Sequence, residues 1–180
     1  MPKKKTIFEA VSGGLGSGKS NYALSSVDSC NTFVLGAGSR WHELLNSRFG
    51  SIQKHINELQ ERGFKSKSTR PWTIVQDIQE ITQPVVLIDE WTTFRHYTLF
   101  WTNKKVAKTI RQIFDAFDDN PHIIKVVFVC SDCVPYLPFS LYKKTVLWNK
   151  LLFKAADKIT IMYFGIPSVL KKPTIYLHSQ

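Results

Sequence analysis

Gly13, Gly18, Lys19 and Ser20 stand in the order Gly-x-x-x-x-Gly-Lys-Ser, the full P-loop spacing. Each residue type answers to one part of a polyphosphate. Glycines at Gly13, Gly14, Gly16 and Gly18 let the backbone turn through unusual dihedrals. They bring successive N–H groups, with that of Ser17, against phosphate oxygens. Lys19 adds a point charge for the β- and γ-phosphates, and the Ser20 hydroxyl is a hard oxygen ligand suited to Mg²⁺. A helix beginning near Gly18 aims its positive dipole end at the same group. A strand before the pattern and a helix-forming run (NYALSS) after it supply the context the motif demands. The expected ligand is ATP with Mg²⁺, and GTP is not distinguished from it.

A pair of carboxylates follows. VVLIDE ends in Asp89 and Glu90, and the carboxyl ends of strands are where ligands bind in open α/β sheets. Asp89 would bind the metal through water, opposite Ser20. Glu90 would orient and deprotonate a water for attack on the γ-phosphate. Lys19 and Glu90 are therefore the expected catalytic residues, and Ser20 with Asp89 the expected metal pair. Such an arrangement suits hydrolysis; a kinase must exclude water and present a substrate hydroxyl. The run IIKVVFVC delivers Ser131 and Asp132 to the same edge, where a polar side chain can sense the phosphate or simply end a strand. Arg95 and Arg111 are candidates for an arginine supplied across a ring of subunits, against a plain surface role.

These residues need a scaffold. Short apolar, β-branched runs alternate with helical or polar stretches, the pattern of an α/β domain with a largely parallel sheet. The expected strands are Thr6 to Val11, Thr32 to Leu35, Trp72 to Val75, Val85 to Ile88, Ile123 to Cys130 and Ile159 to Phe164, with Thr174 to Leu177 as a further edge. Lys104 to Asp119 places Val106, Ile110, Ile113, Phe114 and Phe117 on one helical stripe. A second helix is expected from Tyr142 to Ala156. Arg62 to Pro71, short of apolar residues, reads as an exposed loop. No internal repeat and no boundary appear, so one domain is expected over residues 1–180.

Composition narrows the class. The 180 residues are 43% hydrophobic and 13% aromatic, which belongs to a folded globule. Twenty-four Lys and Arg against 14 Asp and Glu give a net charge of +10, which favours polyanionic partners, chiefly nucleic acid. Cys30, Cys130 and Cys133 make no even disulfide framework, and the Cys130/Cys133 pair has no second pair to complete a zinc site. They read as structural thiols in a reducing, cytoplasmic compartment. No run of 18 apolar residues spans a membrane, and the basic start lacks an apolar signal segment.

The motif order resembles the P-loop ATPase group with a RecA-like core, in which a strand intervenes between the phosphate-binding and acidic strands. Within it, GGLGSGKS, IDE, VCSD and KAADKITIMYF are similar to the FtsK/HerA-type ATPases, which include viral DNA-packaging and Zot-like assembly ATPases. That likeness implies Lys19 and Ser20 as cofactor residues, Asp89 as metal ligand and Glu90 as base. Where that group often carries a glutamine, this chain has Ser131 and Asp132. The chain also resembles adenosylcobinamide kinase/guanylyltransferase through GGLGSGKSNYAL, LIDEWTT and NKLLFKAADKITIMYFGIPSVLK. His55, in IQKH, would match that family's guanylyl-accepting histidine; as a lone helix residue it also reads as merely solvated. The family's asparagine after the acidic strand falls at Tyr97, and its NEVG stretch reads SDCV.

The resulting expectation is an α/β, RecA-like ATPase that moves or packages nucleic acid, with DNA favoured, as a homo-oligomeric ring. Lys65, Lys67, Arg70, Lys143, Lys144, Lys150 and Lys154 are its expected phosphate-backbone contacts. The alternatives are a kinase-like transferase and a nucleotide-binding protein with weak turnover.

Overall fold

The computed structural model describes residues 5–37, 52–132 and 139–171. Seven strands form one sheet: β1 (Ile7–Gly13), β2 (Thr32–Ala37), β3 (Lys65–Thr69), β4 (Val85–Asp89), β5 (Lys125–Ser131), β6 (Lys158–Tyr163) and β7 (Ile166–Lys171). Their spatial order is β3-β2-β4-β5-β1-β6-β7. All neighbours are parallel except β6 and β7, which pair antiparallel. Parallel neighbours require crossover connections, and helices supply them.

Alternation along the inner strands sorts their side chains onto two covered faces. Phe8 and Ala10 of β1, Val86 and Ile88 of β4, and Val126, Phe128 and Cys130 of β5 enter one apolar cluster. Val11, Leu87, Val127 and Val129, one residue out of phase, enter the other. The first face is covered by α3 (Ile74–Gln79), α4 (Phe94–Tyr97), α5 (Asn103–Asp119) and α6 (Phe139–Ala155), and the second by α1 (Lys19–Ser25) and α2 (Ile52–Glu61). Val106, Ile110, Ile113 and Phe117 of α5 are buried, as the helical stripe predicts. Each fully buried side chain of this kind contributes about 1.5–3 kcal/mol. Thr102 caps α5, its side chain accepting from the Lys105 N–H at 3.2 Å.

Three elements depart from expectation. Trp72 to Val75 is not a strand: a turn closed by Thr73 and Ile74 N–H on the Arg70 carbonyl leads into α3. Helical spacing then buries Ile74 and Ile78 together, and Asn120 holds the end of this segment by donating to the Ile78 and Ile81 carbonyls. The edge strand is instead Lys65–Thr69, inside the stretch expected as a loop. It pairs with β2, and its exposed lysines and serines blunt an open sheet edge. Its last residue is pinned, Thr69 Oγ1 donating to Asp77 Oδ2 at 2.6 Å. The third departure is β7, which closes the other edge; the edge expected at Thr174 to Leu177 lies outside the described residues.

Candidate active site

β1, β4 and β5 end together at one rim of the sheet. Gly13 is level with Ser131 across β1 and β5, and Asp89 ends β4 beside Gly36 of β2. The chain leaves β1 into the glycine-rich loop, where Gly16 and Gly18 hold φ of +73° and +82°, conformations that L side chains rarely adopt. Gly13 is required for a different reason. A Cβ there would stand 2.6 Å from Ser17 Oγ and 2.7 Å from the Met162 carbonyl, so the loop packs on β6 only because no side chain intervenes. Gly14 shows no such demand: a Cβ there meets nothing within 4 Å among the described residues. Replacing Gly13 with alanine should overpack this contact, at a cost of about 1–3 kcal/mol, and reduce nucleotide binding; thermal unfolding and titration with ATP read the two effects. A protein as stable as the parent would show that the loop relaxes freely.

Lys19 opens α1, with its side chain 6% exposed and its ammonium 3.8 Å from Glu90 Oε1. Ser20 Oγ donates to Asp89 Oδ1 at 3.0 Å. Glu90 itself holds φ +60°, a left-handed backbone at a non-glycine residue, of the kind that concentrates at functional sites. Burial, then the Asp89 charge, raise the Glu90 carboxyl above its ordinary value, and Lys19 opposes them. With 44% of its side chain exposed, solvent moderates that rise. Ser131 Oγ donates to Glu90 Oε2 at 3.4 Å, its N–H donates to Thr92 Oγ1, and its carbonyl accepts from Asn149. Asp132 is turned aside: its carboxylate accepts from the Ser12 hydroxyl, and its N–H donates to the Gly13 carbonyl. Of the two, Ser131 faces the acidic pair.

His55 is the residue that sequence reasoning undervalued. It reaches from α2 to put Nε2 2.9 Å from Asp89 Oδ2, and this hydrogen bond, against the effect of burial, raises its pKa. A signal was present: His55 shares the helical stripe of Ile56 and Leu59, so it faces the sheet.

The remaining candidates scatter. Arg95 Nη1 donates to Thr145 Oγ1 at 3.1 Å, and its charge opposes the rise of the Glu90 pKa. Arg111 is exposed on α5. Lys144 is corrected from a surface residue to a buried one: its ammonium donates to the Trp101 carbonyl and to Asn103 Oδ1, and burial lowers its pKa. Lys67 is committed to Asp77 at 2.7 Å and Glu80 at 3.2 Å. Lys65, Arg70, Lys143, Lys150 and Lys154 are exposed. Burial pushes the Cys130 thiol up to about 12, as befits a structural cysteine. Cys133 lies outside the described residues.

This donor set suits a triphosphate with a hard divalent cation. Among the described residues Ser17 Oγ is buried at the loop without a hydrogen-bond partner, Lys19 is buried beside it in sequence, and Ser20 with Asp89 offers a hydroxyl–carboxylate pair. Among the described residues no cluster of three or more His, Cys, Asp or Glu is arranged to hold a metal ion by itself, so phosphate oxygens and water would complete such a shell.

Fold and rim together define a RecA-like P-loop NTPase architecture, with β5 standing between β1 and β4. The chain is similar to a solved structure described as a prototypical ATPase from the type III secretion system of pathogenic bacteria, with a TM-score of 0.52 and 11% identity. The match covers 91% of this chain and 56% of that one, so this chain spans little more than half of that ATPase's length. The likeness shows the P-loop ATPase fold and does not single out the FtsK/HerA branch. No protein-family model and no curated protein sequence matches the chain. Among the described residues, no helix is long and apolar enough to cross a membrane.

Proposed function

We propose that this protein binds ATP or GTP with Mg²⁺ and hydrolyses the terminal phosphate. The observation that carries this reading is the convergence of Lys19, Ser20, Asp89 and Glu90 at one rim of the sheet. The loop from Gly13 to Ser20 holds the phosphates, with the amide groups and the Lys19 ammonium neutralising their charge. Ser20 and Asp89 hold the metal, which when bound polarises the phosphate oxygens. Glu90 takes a proton from water as the water oxygen forms its bond to the γ-phosphorus and the bond from phosphorus to the β,γ-bridging oxygen breaks. Ser131, hydrogen-bonded to Glu90, keeps that carboxylate oriented.

The test is nucleotide titration and phosphate release with the parent chain and with Lys19→Ala. The parent should bind ATP with Mg²⁺. The variant should lose most of that affinity and turnover while unfolding at nearly the parent temperature. Equal binding by the two would sink the reading. The +10 charge supports a nucleic-acid partner, with six of the seven expected basic contacts exposed, and a ring of subunits would suit that role. Phosphate release with and without double-stranded DNA, at low and moderate salt, decides it: stimulation that fades with salt supports a DNA-linked motor, and none removes it.

A second reading is favoured by His55. Its imidazole contacts the same carboxylate as Ser20, where a nucleotidyl-accepting histidine would stand if the likeness to adenosylcobinamide kinase/guanylyltransferase holds. In that reaction the His55 nitrogen bonds to the α-phosphorus and pyrophosphate leaves. Incubation with α-labelled GTP distinguishes the two: label retained on the protein and lost in His55→Ala favours transfer, and free phosphate without retained label favours hydrolysis.

A further inference from the structure

The turn joining β6 to β7 rests on the phosphate cradle. The Gly165 N–H donates to the Ser17 carbonyl at 3.2 Å, and Gly165 Cα lies 3.8 Å from where a Cβ on Gly18 would stand. Immediately before it, Phe164 is 99% exposed and holds φ +49°. Left-handed backbone is disfavoured for a bulky side chain, and the type usually found there is glycine or asparagine. Single apolar side chains on a surface need no explanation. This one stands fully in water, on a disfavoured backbone, in a turn hydrogen-bonded to the loop that would hold a triphosphate. Something flat and partly apolar that arrives with the phosphates would cover it.

We propose that Phe164 is the stacking platform for the base of the bound nucleotide. This rests on the reading of residues Gly13 to Ser20 as the phosphate cradle. One ribose separates a base from its α-phosphate, so a ring fixed at the edge of the cradle lies within its reach. Every base has a π-face, and stacking on an aromatic ring tolerates all of them. The platform therefore adds affinity for adenine and guanine nucleotides alike and leaves their discrimination to hydrogen bonds elsewhere. The tie from Gly165 to Ser17 fixes the turn that carries the ring before the ligand arrives, which limits the ordering cost of binding to the side chain.

The experiment is calorimetric titration with Mg²⁺ and three probes: ATP, GTP and inorganic tripolyphosphate. Phe164→Gly removes the ring while suiting the left-handed backbone, and Phe164→Trp keeps a larger ring. Phe164→Gly should weaken ATP and GTP each by about tenfold and leave tripolyphosphate unchanged. Phe164→Trp should bind nucleotide at least as well as the parent, with a fluorescence change on adding ATP beyond that of the parent's five tryptophans and beyond that produced by tripolyphosphate. Equal affinities for ATP in the parent and in Phe164→Gly overturn the inference, as does an equal loss for tripolyphosphate. A change in sedimentation with binding intact would also overturn it, by giving the ring to a contact between chains. A parent protein that takes up neither ATP nor tripolyphosphate marks the failure of the cradle itself, which is a different result from a cradle that binds tripolyphosphate and a ring that adds nothing.

Discussion

Glu90→Gln should lower steady-state phosphate release by about 10²–10⁴-fold, the range set by removing a positioned general base, while ATP is still bound. The two side chains have nearly the same shape, and the amide oxygen can still accept from Ser131, so the left-handed turn at Glu90 has no new steric reason to move. What disappears is the proton acceptor and the negative charge 3.8 Å from the Lys19 ammonium. With that ion pair gone, the ammonium is freer to meet phosphate, and affinity should hold or rise. Rapid-quench measurement of a single turnover, alongside equilibrium titration, separates the chemical step from binding. Parent-like turnover in the variant would remove Glu90 as the base and leave it a partner of Lys19.

How much of this site was readable beforehand follows from where each residue takes its meaning. Gly13, Gly18, Lys19 and Ser20 act through backbone geometry and charge at fixed spacing in one loop, so a linear pattern captures them. Asp89 and Glu90 end an unbroken apolar run, which marks the carboxyl end of a buried strand. His55 meets Asp89 only because α2 carries it to the end of β4, 34 residues away in the chain; its helical stripe turns it to the sheet, but no spacing rule names that partner. The demand on Gly13 was likewise invisible in kind, since it comes from the Met162 carbonyl on β6 and not from an unusual dihedral. Phe164 looked like the last residue of an apolar strand, and only the turn exposes it.

Fold legibility divides in the same way. Inner strands β4 and β5 are covered on both faces, and their continuous apolar runs announce them, whereas Glu9 interrupts the run of β1. Edge strands carry no such run. Lys65–Thr69 has one buried residue, Thr69, and hydrophobic periodicity cannot see a strand whose cohesion comes from backbone pairing with β2. The WTIV stretch misled in the opposite sense. Its β-branched residues fit a strand, yet the Arg70 carbonyl gathers the next turn and tertiary burial of Ile74 and Ile78 selects the helix. Propensity was overridden by packing, as it commonly is for short segments.

That packing also reaches the chemistry, and Trp148→Ala tests how far. Trp148 is fully buried on α6, its ring 4.8 Å from that of Trp91 at 82° and 5.6 Å from that of Phe94. Its indole N–H donates to Thr98 Oγ1 at 3.0 Å. Trp91 follows Glu90 directly, is itself fully buried, and its own indole N–H has no hydrogen-bond partner among the described residues, so packing holds its ring. Removing Trp148 should cost about 3–5 kcal/mol, which for a chain of this length lowers the melting temperature by about 6–20 °C. Trp148→Phe should cost less, since it keeps a ring against Trp91. At a temperature where both variants are folded, the alanine protein should lose turnover more than it loses ATP affinity, because the cavity loosens the residue after Glu90 while the loop from Gly13 to Ser20 lies on β1 and α1. Equal losses in turnover and affinity would show instead that the whole rim moves as one body, and a melting temperature equal to the parent's would show that this aromatic cluster does not hold the core.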